Sequence, residues 1–179
     1  VPAAPIVAVA ALAVALTSRG GALYRQPRVG YRGRDFEVVK LRTMVAGAEH
    51  LGAGLAVDAG DSRITPVGAL LRRTSIDELP NLVNVLRGEM SLVGPRPTLR
   101  SQVDAYTARQ RGRLEALPGL TGWAQVNGRA ALPWSERIEL DLWYAEHASL
   151  RLDLRIVAAS ARIAITGEGL YRGETGGWR

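Results

Sequence analysis

The segment RRTSIDELPNLVNVLRGEMSLVGPRP, residues 72–97, places two adjacent acidic residues just ahead of a periodic apolar run and an arginine between two prolines shortly after it. Leu79, Leu82, Val83 and Leu86 recur at i, i+3, i+4 and i+7 and are followed by Gly88, so the spacing predicts an amphipathic helix within 75–88. Pro80 limits where it begins. With Asp77 as N-cap, Pro80 falls at the third helical position, where no amide hydrogen bond is lost. With Ser75 as N-cap, Ser-x-x-Glu forms a capping box and Pro80 costs a bond. Either choice puts Asp77 and Glu78 at a helix N-terminus, and in residues 90–99 Pro95 and Pro97 hold Arg96 in a tight segment.

Upstream, Thr65-Pro66 reads as an N-cap and first helical residue, opening a short helix through Arg73. Residues 22–26 and 36–44 read as strands around a turn-rich PRVGYRGR stretch containing Gly30 and Gly33. A period of two in the second strand puts Phe36, Val38, Lys40 and Arg42 on one face. Between strand and helix, residues 45–62 carry Gly47, Gly52, Gly54 and Gly60 without periodicity and are expected to form a mobile loop. Downstream, a helix is expected from Thr98 to Leu117 with Leu99, Val103 and Tyr106 along one stripe. The Gly-rich segment 118–129 has a strand-like centre, and helices follow over 133–147 and 152–166, the last stopped by Gly167. The tail after Tyr171 reads as loosely ordered.

The first sixteen residues contain no charged side chain, whereas residues 19–42 are dense in arginine. That contrast suggests a protein at a membrane edge. The apolar run is short of the roughly 20 residues a spanning helix needs. From Pro5 to Leu16 a helix measures about 18 Å, enough for one leaflet. A buried core helix, or the second half of a spanning helix, fits the same run.

The net charge is +6, and all but one of the 23 Lys and Arg residues are Arg, the exception being Lys40. Anionic lipid, phosphorylated ligands and nucleic acid are the usual partners of such a surface. Nucleic acid is disfavoured: a single Phe and no zinc-finger spacing leave no stacking or reading element. An arginine-rich composition of the genome would account for many of these residues equally well. The absence of cysteine excludes disulfides and thiolate chemistry, and a count of two histidines argues against a His-rich metal site or a Ser-His-Asp triad. A metal in this chain would be a hard cation on carboxylates.

Three groups of residues carry chemistry, and each has a plain structural use as well. Asp77 and Glu78 serve as ordinary helix-start acids. At the same place a carboxylate can attack phosphorus to give an acyl-phosphate, and its neighbour can hold a magnesium ion on a diphosphate. Arg96 is either a turn arginine or a bidentate phosphate ligand pre-set by Pro95 and Pro97. Lys40, Arg42 and Arg72 either line a solvated face and a helix C-terminus or contact an anion. No GxxxxGK, HExxH or GxSxG motif competes.

Taken in order, QPRVG (26–30), KLRTM (40–44), residues 72–97, PGLTGWAQVNGR (118–129) and WSERIELDLWY (134–144) resemble the bacterial sugar transferase family, the monotopic polyprenol-phosphate phosphoglycosyl transferases. The resemblance runs from about Pro5 to Gly167. It implies a helix-rich α/β membrane-associated domain with a small antiparallel sheet. Residues 1–18 would be the second half of a re-entrant membrane helix bent near Pro5 (or Pro2), its first half lying before Val1, and residues 19–179 the catalytic domain. It further implies transfer of a sugar-1-phosphate from a UDP-sugar to undecaprenyl phosphate, with Asp77 as nucleophile, UMP as leaving group and Glu78 as Mg2+ ligand. Arg96 in Pro95-Arg96-Pro97 would grip phosphate, Lys40, Arg42 and Arg72 would add positive charge, and Gln125, Asn127 and Arg129 would face the substrate. The implied setting is the cytoplasmic face of the bacterial inner membrane, on anionic lipid, at the first membrane step of exopolysaccharide, capsule, O-antigen or glycoprotein glycan synthesis. A homodimer is one expected form, and the sugar is left open. The chain departs from the pattern at Leu117, where Arg or Lys is usual, at Ala4, where Ser is usual, and at Asn81, where Gln is common.

Overall fold

The computed structural model describes residues 3–51, 57, 58 and 60–166. Pro2, Gly52, Gly54, Gly167 and the C-terminal tail lie outside the described residues.

The first helix, α1 (Ala4–Thr17), is continuous, with Pro5 in its first turn where no amide partner is required. It lays Ala10 and Val14 on Leu41 and Leu71, and this small core ties the helix to the rest of the chain. Among the described residues, no helix is long and apolar enough to cross a membrane.

Strands β1 (Leu23–Val29) and β2 (Asp35–Leu41) form the expected antiparallel hairpin. Its first strand continues through the Pro27-Arg28-Val29 stretch expected to be turn. Burial alternates along β1, with Tyr24, Gln26 and Arg28 turned inward and Leu23, Arg25 and Pro27 outward. β2 stops at Leu41, short of the expected end. The ends of the following loop are joined by a bridge between Met44 and Ile64 and by a 2.9 Å bond from the Val45 amide to the Arg63 carbonyl.

Helix α2 (Pro66–Thr74) begins as the sequence indicates, with the Thr65 hydroxyl accepting from the Gly68 amide at 3.0 Å. The next segment corrects the reading of 75–88 as one amphipathic helix. Ser75 takes a left-handed conformation (φ 57°), Ile76–Asn81 is a 3-10 helix, and only Leu82–Leu86 is α-helical (α3). Neither proposed cap forms: Ser75 makes no side-chain cap bond, and Asp77 lies inside the 3-10 helix, not at its cap. The side turned to the protein is polar: Asp77, Asn81 and Asn84 are buried, while Val83 and Leu86 are exposed.

Strand β3 (Ser91–Val93) pairs in parallel with β4 (Gly119–Thr121), adding a parallel pair to the antiparallel sheet that was expected alone. The expected single helix over 98–117 is three pieces: α4 (Arg100–Asp104), α5 (Ala108–Arg111) and a 3-10 turn at Gly112–Glu115. Thr107 causes the break. Its hydroxyl caps Gln110 and the Gln110 side chain returns to the Thr107 amide, a capping box that starts a new helix. Val103 and Tyr106 nevertheless pack as the stripe predicts, in a core with Val29, Ile138 and Leu142.

After β4 the strand-like centre of 118–129 gives way to a helical turn, α6 (Trp123–Val126), then α7 (Trp134–His147) and α8 (Leu150–Thr166). A third core joins Val93, Tyr144, Leu152 and Ile156. The hairpin reaches two of these cores, through Leu41 in the first and Val29 in the second, and Ile76 beside Asp77 packs on the first.

Candidate active site

Two asparagines dock the Asp77 turn on the free edge of β2. The Asn81 Oδ1 accepts from the Val39 amide at 2.9 Å, and the Asn84 amide donates to the Glu37 carbonyl at 2.7 Å. Both side chains are almost completely buried, so these bonds replace water that the site excludes. This register brings Lys40, pointing from the inner face of β2, to Glu78: its Nζ donates to Glu78 Oε1 at 2.8 Å.

Arg96 reaches the same carboxylate from the other side, at 2.6 Å to Oε1 and 3.3 Å to Oε2. Its backbone is anchored from below. Arg113 donates to the Arg96 carbonyl at 3.0 Å and is itself held in a buried ion pair with Asp141 and a bond to the Tyr106 hydroxyl. The Pro95 carbonyl accepts from the Gly119 amide at 2.9 Å, and a Cβ on Gly94 would stand 2.2 Å from the Leu117 carbonyl. Only glycine permits that approach, so the Pro-Arg-Pro segment is fixed at both its charged residue and its entry.

The two neighbouring carboxylates therefore meet different surroundings. Burial alone would raise Glu78, but the Arg96 and Lys40 charges and their hydrogen bonds outweigh it and hold Glu78 well below its ordinary value. Asp77 is 7% exposed, and its Oδ1 has no hydrogen-bond partner. Desolvation, followed by the Glu78 charge, pushes Asp77 up to about 6, against the pull of Lys40, Arg72 and Arg96. One acid is a paired, permanent anion. The other is a desolvated carboxylate with a free oxygen.

Other residues singled out in the sequence fall variously. Arg72 comes close enough to Asp77 to act on its charge; its guanidinium donates to Thr43 Oγ1 at 3.3 Å and keeps a buried Nε without a partner. Arg129, at a positive φ of 51°, faces the same charges, with one buried terminal nitrogen unpaired, and burial and Arg96 lower its pKa. Gln125 is buried beside Gly122 with both amide atoms unpartnered. Pro95 and Pro97 flank Arg96 as expected. Two residues are not brought into the group. Arg42 folds back onto the Gly21 and Leu23 carbonyls at 3.1 and 3.2 Å, over the Tyr24 ring, because β2 has ended before it. Asn127 is exposed and caps α6 through the Trp123 carbonyl at 2.8 Å.

Sequence reading passed over Asn81, Asn84, Arg113 and Asp141 as supports of the site, and Arg28, which carries its charge toward Arg96 and Glu78. The alternation Tyr24, Gln26, Arg28 was a usable signal for the last. Nothing local distinguishes Arg113 in so arginine-rich a chain.

A divalent cation has a minimal donor set here. Among the described residues no three His, Cys, Asp or Glu side chains cluster. Mg2+, however, needs only one or two carboxylates when substrate phosphates complete its shell. Glu78 can supply one, since among the described residues its Oε2 carries only the long contact from Arg96.

The sequence profile described as bacterial sugar transferase matches residues 1–167. An uncharacterized sugar transferase of Bacillus subtilis is 44% identical over 83% of this chain and 72% of its own length. The UDP-glucose:undecaprenyl-phosphate glucose-1-phosphate transferase of Caulobacter vibrioides is 44% identical over 94% of this chain and 66% of its own. The UDP-N-acetylgalactosamine-undecaprenyl-phosphate N-acetylgalactosaminephosphotransferase of Aeromonas hydrophila is 42% identical, covering 92% of this chain; the chain spans only 40% of that relative's length. With the profile covering nearly the whole chain, this protein belongs to the bacterial sugar transferase family.

Proposed function

We propose that this protein transfers a sugar-1-phosphate from a UDP-sugar to undecaprenyl phosphate through a covalent intermediate on Asp77. The observation that carries the reading is the buried Asp77 carboxylate, with one oxygen unengaged, inside a group of cations whose other carboxylate is already paired.

In this reading Asp77 Oδ1 attacks the phosphorus that bears the sugar. The bond from that phosphorus to the bridging oxygen breaks, and UMP leaves with the electron pair. Arg96 and Lys40, oriented by Glu78, lie where the diphosphate charge arrives, and Arg72 and Arg129 add positive potential around it. An oxygen of undecaprenyl phosphate then attacks the same phosphorus, and the Asp77 carboxylate departs. Neither half-reaction needs a net proton. Glu78 would hold Mg2+, which when bound would neutralise charge on the donor's diphosphate and on the departing UMP. The Caulobacter and Aeromonas relatives are named for different sugars at similar identity, so the sugar is left open between glucose, N-acetylgalactosamine and their like.

We place this activity at the cytoplasmic face of a bacterial membrane, where α1 and the arginines beside it meet anionic lipid. The product would enter assembly of an exopolysaccharide, capsule or related surface glycan. The test is a panel of UDP-sugars incubated with enzyme and no acceptor. At least one should release UMP in a stoichiometric burst and leave a sugar-phosphate adduct on the peptide containing Asp77, absent from Asp77→Asn. A burst at parental rate from Asp77→Asn would overturn the proposal.

A further inference from the structure

The hairpin places Arg28 on the same face as Lys40. In the register Tyr24 stands opposite Lys40 and Arg28 opposite Phe36, and directly opposed residues of an antiparallel pair share a side. Burial agrees, since Arg28 is half-buried while its neighbour Pro27 is exposed. The end of β1 is drawn against the Pro-Arg-Pro segment by a 2.8 Å bond from the Val29 amide to the Thr98 carbonyl, within an antiparallel bridge. On that face the Arg28 guanidinium turns back along β1 to Gln26, which stands opposite Val38 and two residues from Lys40, and it lies close enough to Arg96 and Glu78 for both to act on its charge.

The charges around this point do not balance. Arg28 donates to Gln26 Oε1, a neutral acceptor, and among the described residues it makes no ion pair with a carboxylate. Glu78 is shared between Lys40 and Arg96. Lys40 and Arg96 thus share one carboxylate, and Arg28, partly desolvated on the same face, adds a third positive charge that this carboxylate does not pair. Burial, and after it the Arg96 charge, lower Arg28 to about 10. A tetrahedral oxyanion offers several acceptors at once and suits the planar fork of arginine.

We propose that Arg28, oriented by Gln26, is a phosphate-binding residue of this site, taking an oxyanion of the donor's diphosphate or of the polyprenol phosphate. The assignment rests on the transfer reaction proposed above. Arg28 is not needed for the chemistry at Asp77 itself; its contribution is to hold a phosphate beside Arg96.

The experiment compares Arg28→Gln and Arg28→Lys with the parent in three assays: thermal stabilisation by inorganic pyrophosphate, the UMP burst without acceptor, and steady-state transfer with undecaprenyl phosphate varied. Arg28→Gln should lose most of the pyrophosphate stabilisation and raise one KM at least tenfold. A raised donor KM, with a slower burst at low donor, assigns the donor's diphosphate. An unchanged burst with a raised acceptor KM assigns the polyprenol phosphate. If Arg28→Gln fails to fold, Arg28→Lys decides, because a lysine keeps the charge without the fork and should still raise a KM about threefold or more. Parental stabilisation and both KM values within twofold in the folded variant would overturn the assignment. Failure of the transfer reading looks different: the parent itself would release no UMP, and the pyrophosphate measurement would still decide Arg28.

Discussion

A carboxylate that is to attack phosphorus must be ionised, and the surroundings of Asp77 work against that more than those of Glu78 do. Splitting the pKa values of two adjacent acids assigns them different work. In the proposed reaction Asp77 is the nucleophile and is kept unsolvated, while its neighbour remains an anion that orders Lys40 and Arg96. The donor half-reaction should therefore rise with pH through about 6 and level off above it, as the Asp77 carboxylate forms; a burst rate unchanged from pH 5 to 8 would contradict the assignment. Stability runs the other way. A folded pKa raised above the unfolded value means that this group's contribution is fully present below about pH 4 and is lost as pH climbs through about 6. Asp77→Asn should accordingly be more stable than the parent at pH 8, with a ceiling of roughly 3 kcal/mol for a shift of this size, and the advantage should shrink toward pH 4. Thermal melts of both proteins across that range measure it. The position of Asp77 in a recognisable motif is legible in the sequence. Its burial and its lone oxygen are not, because they depend on a strand forty residues away.

The segment carrying Asp77 shows how far periodicity reaches. Leu79, Leu82, Val83 and Leu86 announce one face, but spacing cannot say which face meets the protein. The interior side is polar, made of Asp77, Asn81 and Asn84, because it must pair with the edge of β2. Substitutions on the two sides should differ accordingly. Asn81→Ala strands the Val39 amide and should cost about 1–3 kcal/mol, with a fall in UMP release as Lys40 loses its register on Glu78. Leu86→Ala, on the exposed side, should stay within about 0.5 kcal/mol in urea melts without lipid. Equal losses for the two would reject this picture. The broken helix over 98–117 was more nearly readable, since Thr107-x-x-Gln110 is a capping box in plain sequence. The support below Arg96 was not. Arg113 and Asp141 are 28 residues apart, and both are only 2% exposed. Asp141→Ala leaves a buried, unpaired guanidinium and should destabilise by about 3–5 kcal/mol.

At the scale of the whole molecule, the apolar side chains that find no core are concentrated on two helices that both touch α2. Ile6, Val9, Leu12 and Leu16 of α1 are between 50% and 77% exposed, Leu150, Leu154, Val157 and Ile165 of α8 are comparably bare, and Leu70 of α2, the helix that touches both, is exposed as well. A surface of this extent is costly in water and suits a lipid interface. Arg151 and Arg155 stand exposed beside the α8 residues. Magnitudes decide which term dominates. A basic residue at an anionic surface contributes about 1 kcal/mol, whereas each Val or Leu taken from water contributes about 1.5–3 kcal/mol when fully buried. Binding to vesicles that contain anionic lipid should therefore survive 0.5 M salt largely intact, because screening removes only the smaller contribution. A Val9→Glu, Leu16→Glu double variant should lose vesicle binding at least tenfold while its melting temperature in buffer stays near the parent's, since both positions face outward. Co-sedimentation with vesicles at low and high salt separates the cases. If salt alone releases the parent, arginine attraction is the anchor and the apolar face of α1 is not.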